Sequence, residues 1–590
     1  MRYGKQFFFI IIVTVLISCT PEPKTKEYYA PEWANGIVWY QIFPERFRDG
    51  DTTNQPNRER ARGPEGWAPT SWTQDWYSRD DWEVNYSDDF YSIVRERRYG
   101  GDLQGVIDKL DYLKELGIGG IYFNPVFDAQ SMHKYDASYY HHIDRNFGSD
   151  PIGDVQKFEE EDPGDSSTWE WTEGDKLFLK LIEEAHKRGM KVVVDGVFNH
   201  TGTEFWAFED LVANQEKSAY KDWYIVTQFD DPNTEENEFD YEGWWGFKGL
   251  PVFREVDENL YEPIKEHVFE VTRRWMDPNG DGNPEDGVDG WRLDVAEEVG
   301  DNFWIEWHSL VREINPEAIT VAEIWTENAK HYINADMFTT VMNYRFAYAA
   351  KDYFIDQRIT IDEFKSRLDQ VASDYPEEGL DVLQNLMDSH DTPRIASMIV
   401  SPGREYDRDA HPREGYGVRK PNASERDVQK LVSIFQYTWK GAPMIYYGTE
   451  SGMWGADDPD DRKPMVWDDL EYEDESDHPF GESRAADSNN FDSELHAFYT
   501  SLAKIRNMYP SIQNGGAEFI ELDGENQFVV FKRFSEEEAT IYVALNRSEA
   551  IQSFSIDGCT STDLITGETI SNSEIAVPPV SGRILKAECN

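Results

Sequence analysis

The chain has 590 residues, 39% of them hydrophobic and 14% aromatic, including 20 Trp and 31 Tyr. That composition excludes general disorder, and the length implies one large domain with at least one satellite. Lys plus Arg total 57 against 114 Asp plus Glu, a formal net charge of -57; such a field repels phosphate backbones, so nucleic acid is not expected as a partner.

At the start, Arg2 and Lys5 precede an apolar run from Phe7 to Ile17 and the string "LISCT". A basic start, a hydrophobic segment and a small residue before Cys19 predict a bacterial lipoprotein signal over residues 1–18. The run is shorter than the roughly 20 residues a spanning helix needs. The only expected membrane attachment is therefore a lipid on Cys19, with a polar linker over 19–32. The expected location is the periplasm or the outer-membrane surface.

Next, "IVWYQIF" (37–43) reads as a strand and "LQGVIDKLDYLKELG" (103–117) as a helix ended by glycine. The alternation continues with the strand "GIYFNPVF", the helix "KLFLKLIEEAHKRG" and the strand "KVVVD". Further helices, "YEPIKEHVFEVTRRWM" and "NFWIEWHSLVREI", precede "GWRLD" and "ITVAEI". Then come "RDVQKLVSIFQYTW", "APMIYYG" and "ELHAFYTSLAKIRNMY". About eight strand–helix units fit into residues 33–510, which predicts a (β/α)8 barrel. An open doubly wound sheet is the alternative, but no glycine-rich nucleotide loop follows any strand.

Two connections are long, one over 124–174 after the second strand and one over about 199–256 after the third. Beyond residue 511, short alternating strands broken by "DG", "NRS" and "TG" predict a C-terminal all-β sandwich domain to residue 590. Cys559 and Cys589 are too few for a disulfide scaffold; pairing and free thiols both stay open.

Four stretches deliver an acid where a strand-like run ends: Asp195 in "KVVVDGVFNH", Asp294 in "GVDGWRLDVAEEV", Glu323 in "ITVAEIW" and Asp391 in "LMDSHDTPR". Cleaving a glycosidic bond takes one carboxylate to attack an oxocarbenium-like centre and one carboxylic acid to protonate the leaving oxygen. A lone strand-end acid could equally be a structural ion-pair partner. Four together, in these local strings, favour chemistry.

In this order and spacing, the four stretches resemble the α-amylase family of retaining glycoside hydrolases. "HKYDASYYHHID", "GFKGLPVF" and "YYGTESGMWGADDPDDRKPMVW" are most similar to its neopullulanase and cyclomaltodextrinase branch. The resemblance implies Asp294 as nucleophile, Glu323 as general acid/base with a raised pKa, and Asp391 as the third acid, gripping sugar hydroxyls. It implies Arg292 as the group that keeps Asp294 charged and aimed, and His200 and His390 as donors to hydroxyls. Tyr135 would stack under the sugar, with His133 beside it. Asp195 would organise the site. Trp244 and Trp245, in "GWWGFKGLP", either stack on glucose or pack the long connection. The implied substrates are malto-oligosaccharides, cyclomaltodextrins, pullulan or starch, cut at α-1,4 bonds. A glucanotransferase with the same acids and a noncatalytic glucan-binding protein are the alternatives.

For a metal, oxygen-rich strings favour structural Ca2+. "RDGDTTNQ" supplies Asp49, Asp51 and Asn54, and "YGGDL" supplies the Gly100 carbonyl and Asp102, places the resembled branch uses for an ion. Gln55 stands where that pattern has an acid. The run "DPNGDGNPEDGVDG" resembles an EF-hand loop at Asp277, Asn279, Asp281 and Gly282, but Val288 replaces the closing Glu, so an acidic turn is expected. After Asp294 the chain reads Val295, Ala296, Glu297, Glu298, without the Lys-His pair of many endo-acting α-amylases. That departure disfavours an ordinary starch amylase.

Overall fold

The computed structural model describes residues 27–589 apart from positions 408, 537, 557, 572 and 573. The expected signal and its lipidation site, Cys19, lie outside the described residues.

Eight short parallel strands form the centre: β1 (Trp39–Ile42), β2 (Gly120–Phe123), β3 (Lys191–Gly196), β4 (Gly290–Leu293), β5 (Ile319–Ala322), β6 (Thr340–Val341), β7 (Gln384–Asn385) and β8 (Ala442–Tyr446). They hydrogen-bond in the order β6-β5-β4-β3-β2-β1-β8-β7, and a parallel bridge from Met342 to Gln384 closes the ring between β6 and β7. Most of these, though not the polar Gln384–Asn385 of β7, are apolar runs rather than alternating ones because helices cover the outside while side chains fill the inside. Val192, Val193 and Val194 are all fully buried.

The predicted helices form the outer layer, including Glu173–Lys187, Glu262–Met276, Asp301–Ile314, Ala423–Thr438 and Ser493–Met508. The stretch expected as one helix over 103–117 is two, Leu103–Asp108 and Leu110–Leu116, broken at Lys109. Its end is at Gly117, whose φ of +94 closes the C-terminus.

The C-terminal domain has β9 (Gly516–Asp523), β10 (Phe528–Phe534), β11 (Ile541–Asn546), β12 (Gln552–Ser555), β13 (Cys559–Asp563), β14 (Thr569–Ile570), β15 (Glu574–Val577) and β16 (Ser581–Cys589). Six make one sheet, β9-β10-β11-β16-β13-β14, and β12 pairs with β15. Phe528, Val530, Ala544 and Leu585 meet Phe554, Ile575 and Val577 between the layers, so the expected sandwich holds. Alternate residues of the same strands, Val529, Phe531 and Val543, join the barrel's core instead. Cys559 is disulfide-bonded, and residue 589 is its cross-strand neighbour.

Strand alternation decides what the barrel mouth receives. In β4, Trp291 and Leu293 face the helices, where Trp291 meets Phe198 and Trp307. Arg292 and the following Asp294 therefore face inward. Asp195 at the end of β3 is in register with Arg292, and the Glu323 amide bonds Leu293 one step beyond the β4–β5 ladder. Three chain-distant residues are delivered to one depth.

Candidate active site

Arg292, fully buried, is the hub. Its Nη1 donates to both Asp195 oxygens at 2.9 Å and to Asp294 Oδ1 at 3.0 Å, while Nη2 lies 2.9 Å from Glu323 Oε2. The Asp294 and Glu323 side chains keep only 10% and 6% exposure. Glu323 is further aimed by the Trp325 indole N–H at 3.0 Å and the Val295 amide at 2.9 Å. Val295 sits at φ +40, a strained place for a β-branched residue, which presents that amide to the carboxylate. Trp325 is itself fixed by stacking on Tyr344, with ring centres 4.0 Å apart.

A second wall comes from the loops after β2, β7 and β8. Tyr135 OH donates to Asp195 Oδ2 at 3.0 Å, accepts from Asn124 Nδ2 at 3.0 Å and lies 2.5 Å from His390 Nε2. Tyr122 OH also donates to Asp195 Oδ2, at 2.7 Å. Gln41 on β1 donates to His390 Nδ1 at 2.9 Å, which leaves the ring proton on Nε2, also 3.2 Å from Asp391 Oδ2. Burial and the guanidinium of Arg462 push the His390 pKa well down, so it serves as a neutral donor. Arg462 reaches Asp391 Oδ1 at 3.2 Å and Asp458 Oδ1 at 3.1 Å.

The pocket holds more carboxylates than cations. Burial, then the facing Glu323 carboxylate, pushes Asp294 well above the usual range. The same two causes raise Asp391 to about 7, and burial raises Asp195 against the pull of Arg292. The cluster therefore keeps a proton that isolated carboxyls would have lost at neutral pH, and that proton belongs to the group rather than to one residue. An acid and a nucleophile can coexist only in such a site.

Of the sequence-predicted residues, Asp195, Arg292, Asp294, Glu323, Asp391, His390 and Tyr135 come together. His200 and His133 do not bond the acids. His200 Nδ1 pairs with Asn199, its ring stacks on Trp244 at 5.7 Å, and its buried Nε2 has no hydrogen-bond partner among the described residues. His133 Nδ1 accepts the Tyr135 amide at 3.1 Å and so props the turn that carries that ring. Asp391, expected where a strand ends, stands six residues beyond β7 on its loop. His141 and His142 converge on Glu161 at 2.7 and 2.9 Å, and His142 also bonds Asp175 at 2.8 Å, tying the loop after β2 to the helix Glu173–Lys187.

The oxygen-rich loop also assembles. Asp102 accepts the Gly50, Asp51 and Gly105 amides, and Asn54 donates to it at 3.0 Å. Asp49 Oδ1, Asn54 Oδ1 and Gln55 Oε1 are buried without partners among the described residues. Burial and the nearby Asp102 and Asp51 raise Asp49 to about 6. Unsatisfied oxygens in a negative loop fit a hard cation such as Ca2+, and Gln55 supplies an oxygen where an acid was expected. Gly100 sits at φ +79, where a Cβ would strike the Gln55 amide. In the second acidic run, Asp277, Asn279 and Asp281 accept the amides of Gly282, Asp281 and Asn283, the acidic turn that was expected, while Asp277 Oδ1 and Asp286 Oδ1 are buried without hydrogen-bond partners among the described residues.

A (β/α)8 barrel with a guanidinium between three acids at the carboxyl ends of β3, β4 and β5 defines the class of a glycoside hydrolase. The family model "Alpha amylase, catalytic domain" matches residues 41–159 and 172–515. The chain belongs to the α-amylase family and is an α-glucan-acting glycoside hydrolase. It is 33% identical to neopullulanase 2 of Thermoactinomyces vulgaris over 571 residues, covering 95% of this chain and 79% of that one. It is also 33% identical to a cyclomaltodextrinase of Geobacillus thermopakistaniensis, covering 88% and 70%. Among solved structures, a cyclomaltodextrinase superimposes with TM-score 0.69 at 28% identity, covering 95% of this chain and 79% of that one. The type III pullulan hydrolase of Thermococcus kodakarensis shares the fold, with TM-score 0.72 at 24% identity, covering 95% and 83%.

Proposed function

We propose that this enzyme cleaves α-1,4-glucosidic bonds in malto-oligosaccharides, cyclomaltodextrins, pullulan or starch fragments with retention of configuration. The observation that carries the reading is the Arg292 guanidinium shared by Asp294 and Glu323. Two carboxyls spanning one guanidinium suit the close spacing, about 5–5.5 Å, of retaining enzymes rather than the wider gap that admits a water between acid and base. Of the ways the cluster can share its protons, the reactive one leaves Asp294 ionised against Arg292 and the proton on Glu323; Asp294 then attacks the anomeric carbon as Glu323 gives that proton to the leaving oxygen. Glu323 then takes a proton from a water whose oxygen bonds the anomeric carbon, and the bond from that carbon to Asp294 breaks, restoring the free carboxylate. Asp391 and the neutral His390 hold hydroxyls of the sugar being attacked.

Ca2+ would be bound by Asp49, Asp51, Asn54, Gln55, the Gly100 carbonyl and Asp102, where it would rigidify the loop beside β1 and take no part in bond cleavage. The N-terminal string supports an exported lipoprotein anchored at Cys19. Loss of labelled-palmitate incorporation in Cys19→Ala would bear that out, and unchanged labelling would refute it.

Parallel digestion of pullulan, a cyclomaltodextrin and soluble starch, with products and the initial anomer followed by NMR, tests the reaction. Panose from pullulan, ring opening and first-formed α anomers are expected. Longer oligosaccharides as main products would favour the glucanotransferase, bound starch without reducing sugar a noncatalytic protein, and first-formed β anomers an inverting mechanism.

A further inference from the structure

Outside the acid cluster, His141, His142 and Glu161 form a buried group that the proposed chemistry does not use. Nε2 of His141 and Nε2 of His142 lie 2.7 and 2.9 Å from the same oxygen, Glu161 Oε1, and the three side chains keep 0%, 0% and 1% exposure. Two imidazole nitrogens this close to one carboxylate oxygen need positive charge between them, which two protons or one cation can supply. Each donor is aimed from behind. Asp175 Oδ2 accepts from His142 Nδ1 at 2.8 Å, which turns Nε2 toward Glu161, the carboxylate–histidine arrangement that orients metal-bound imidazoles. Asp175 is in turn held by the Ile143 amide at 2.8 Å and by Arg274 at 3.1 Å. His141 lies flat on Trp169 with ring centres 4.1 Å apart, and His142 on Phe158 at 4.6 Å. Glu161 Oε2 accepts the Glu170 amide at 3.2 Å, which leaves Oε1 to the histidines.

The donor set selects the cation. Two imidazoles and a carboxylate suit Zn2+ and its first-row neighbours, not the hard Ca2+ that the oxygen-rich loop fits. Metal–ligand bonds of about 2.0–2.2 Å place neighbouring donors of a tetrahedral ion about 3.3 Å apart, so each nitrogen need draw back from Glu161 by only about half an ångström as its proton leaves. The donor atoms already lie within 4.8 Å of one another. His267 is a candidate fourth donor: its ring stands edge-on to His141 at 6.0 Å, and its buried Nε2 has no hydrogen-bond partner among the described residues. An ion here would join the loop after β2 to the end of the helix Pro151–Glu160 and, through Asp175, to the helix Glu173–Lys187. That loop also carries Tyr135 into the pocket, and the Trp275 indole holds its Tyr140 carbonyl at 2.9 Å.

We propose that His141, His142 and Glu161 bind one divalent transition-metal ion, Zn2+ by preference, which clamps the loop after β2 to the helix Glu173–Lys187. The test uses untagged, chelator-treated protein with calcium saturating in every arm, so that the oxygen-rich loop contributes no signal. Calorimetric titration with Zn2+ should show one site with a Kd of about 1 μM or tighter, and zinc should raise the melting temperature. The variants Glu161→Gln and His141→Gln keep an amide where the cluster needs a hydrogen-bonding group but remove a metal ligand, and melts without zinc report whether each is folded. Both should bind zinc at least tenfold more weakly and lose most of the thermal gain. Zinc held only at millimolar concentration by the parent would make the cluster a proton-bridged ion pair and end the proposal. A tight site unchanged in both variants would place the ion elsewhere and equally overturn the assignment.

Discussion

Arg292 at the barrel mouth and Arg506 beneath the C-terminal domain are equally buried, yet their partners differ. Arg292 faces three carboxylates, and their charges raise its pKa further. Arg506 donates to the backbone carbonyls of Gly36, Tyr437 and Gly441, and Arg533 nearby to those of Thr438 and Gly515. With neutral partners, burial pushes Arg506 down to about 9 and Arg533 to about 10. Tyr437 and Thr438 end the helix Ala423–Thr438, so these cations also meet the negative end of a helix dipole. One arrangement gathers surplus charge that chemistry can use; the other ties chain segments by their carbonyls, within the barrel at Arg506 and from the C-terminal domain to the barrel at Arg533. The difference lies in whether the buried cation is outnumbered.

That contrast can be broken experimentally. The largest effect is expected at the outnumbered cation: Asp294→Asn and Glu323→Gln should each cut turnover by at least about 10³-fold with the melting temperature held or raised. Near-normal turnover in steady-state assays would remove either residue from its role. At the carbonyl-bound cation within the barrel the signs reverse. Arg506→Met strands three buried carbonyls and should cost about 3–4 kcal/mol in denaturant melts, leaving kcat per folded molecule unchanged.

The oxygen-rich loop sharpens the comparison, because there Arg48 offsets only part of the surplus charge on Asp49, Asp51 and Asp102. Calcium at about 100 times its Kd should stabilise the EDTA-treated enzyme by roughly 2–3 kcal/mol at pH 8. The gain should fade below pH 6, since a proton on Asp49, whose pKa is raised to about 6, competes with the ion. A melting temperature indifferent to calcium at pH 8 would empty the site.

The smallest effect is the pH dependence of Asp391→Asn. A folded pKa raised to about 7 means the folded state holds the proton longer than the unfolded chain, so ionisation removes stability between about pH 4 and 7. The variant escapes that loss. Its advantage over the parent should be nil near pH 4 and grow to about 1–2 kcal/mol by pH 8, less than the roughly 4 kcal/mol of a full three-unit shift because the Asp391 side chain keeps 30% exposure to screening water, even as activity collapses. A constant difference across that range would contradict the proton count.

Much of this was legible in the sequence where physics leaves a local mark. β3, β4 and β5 are apolar runs ending in an acid, and Arg292 and Asp294 two residues apart on one strand face needed only the period of a strand. β6 and β7 left no such mark: each has two residues, and Gln384 and Asn385 are polar, the latter satisfied by Asn343 and the Lys440 carbonyl. Arg462 was invisible because its partner Asp391 is 71 residues away and "DDPDDR" reads as a solvated turn. Gln41 carried a signal that went unused, a lone amide inside "IVWYQIF", and it fixes the proton on His390. The strain at Val295 has no trace in composition, since it exists only in backbone angles.

The most direct test of the mechanism is to trap the intermediate with a slow fluorinated glycosyl fluoride and locate the adduct by peptide mass spectrometry. The sugar is expected on the peptide carrying Asp294, with trapping in Glu323→Gln as well, because fluoride leaves without an acid. An adduct on Asp195 or Asp391 would contradict the assignment of Asp294 as the attacking group.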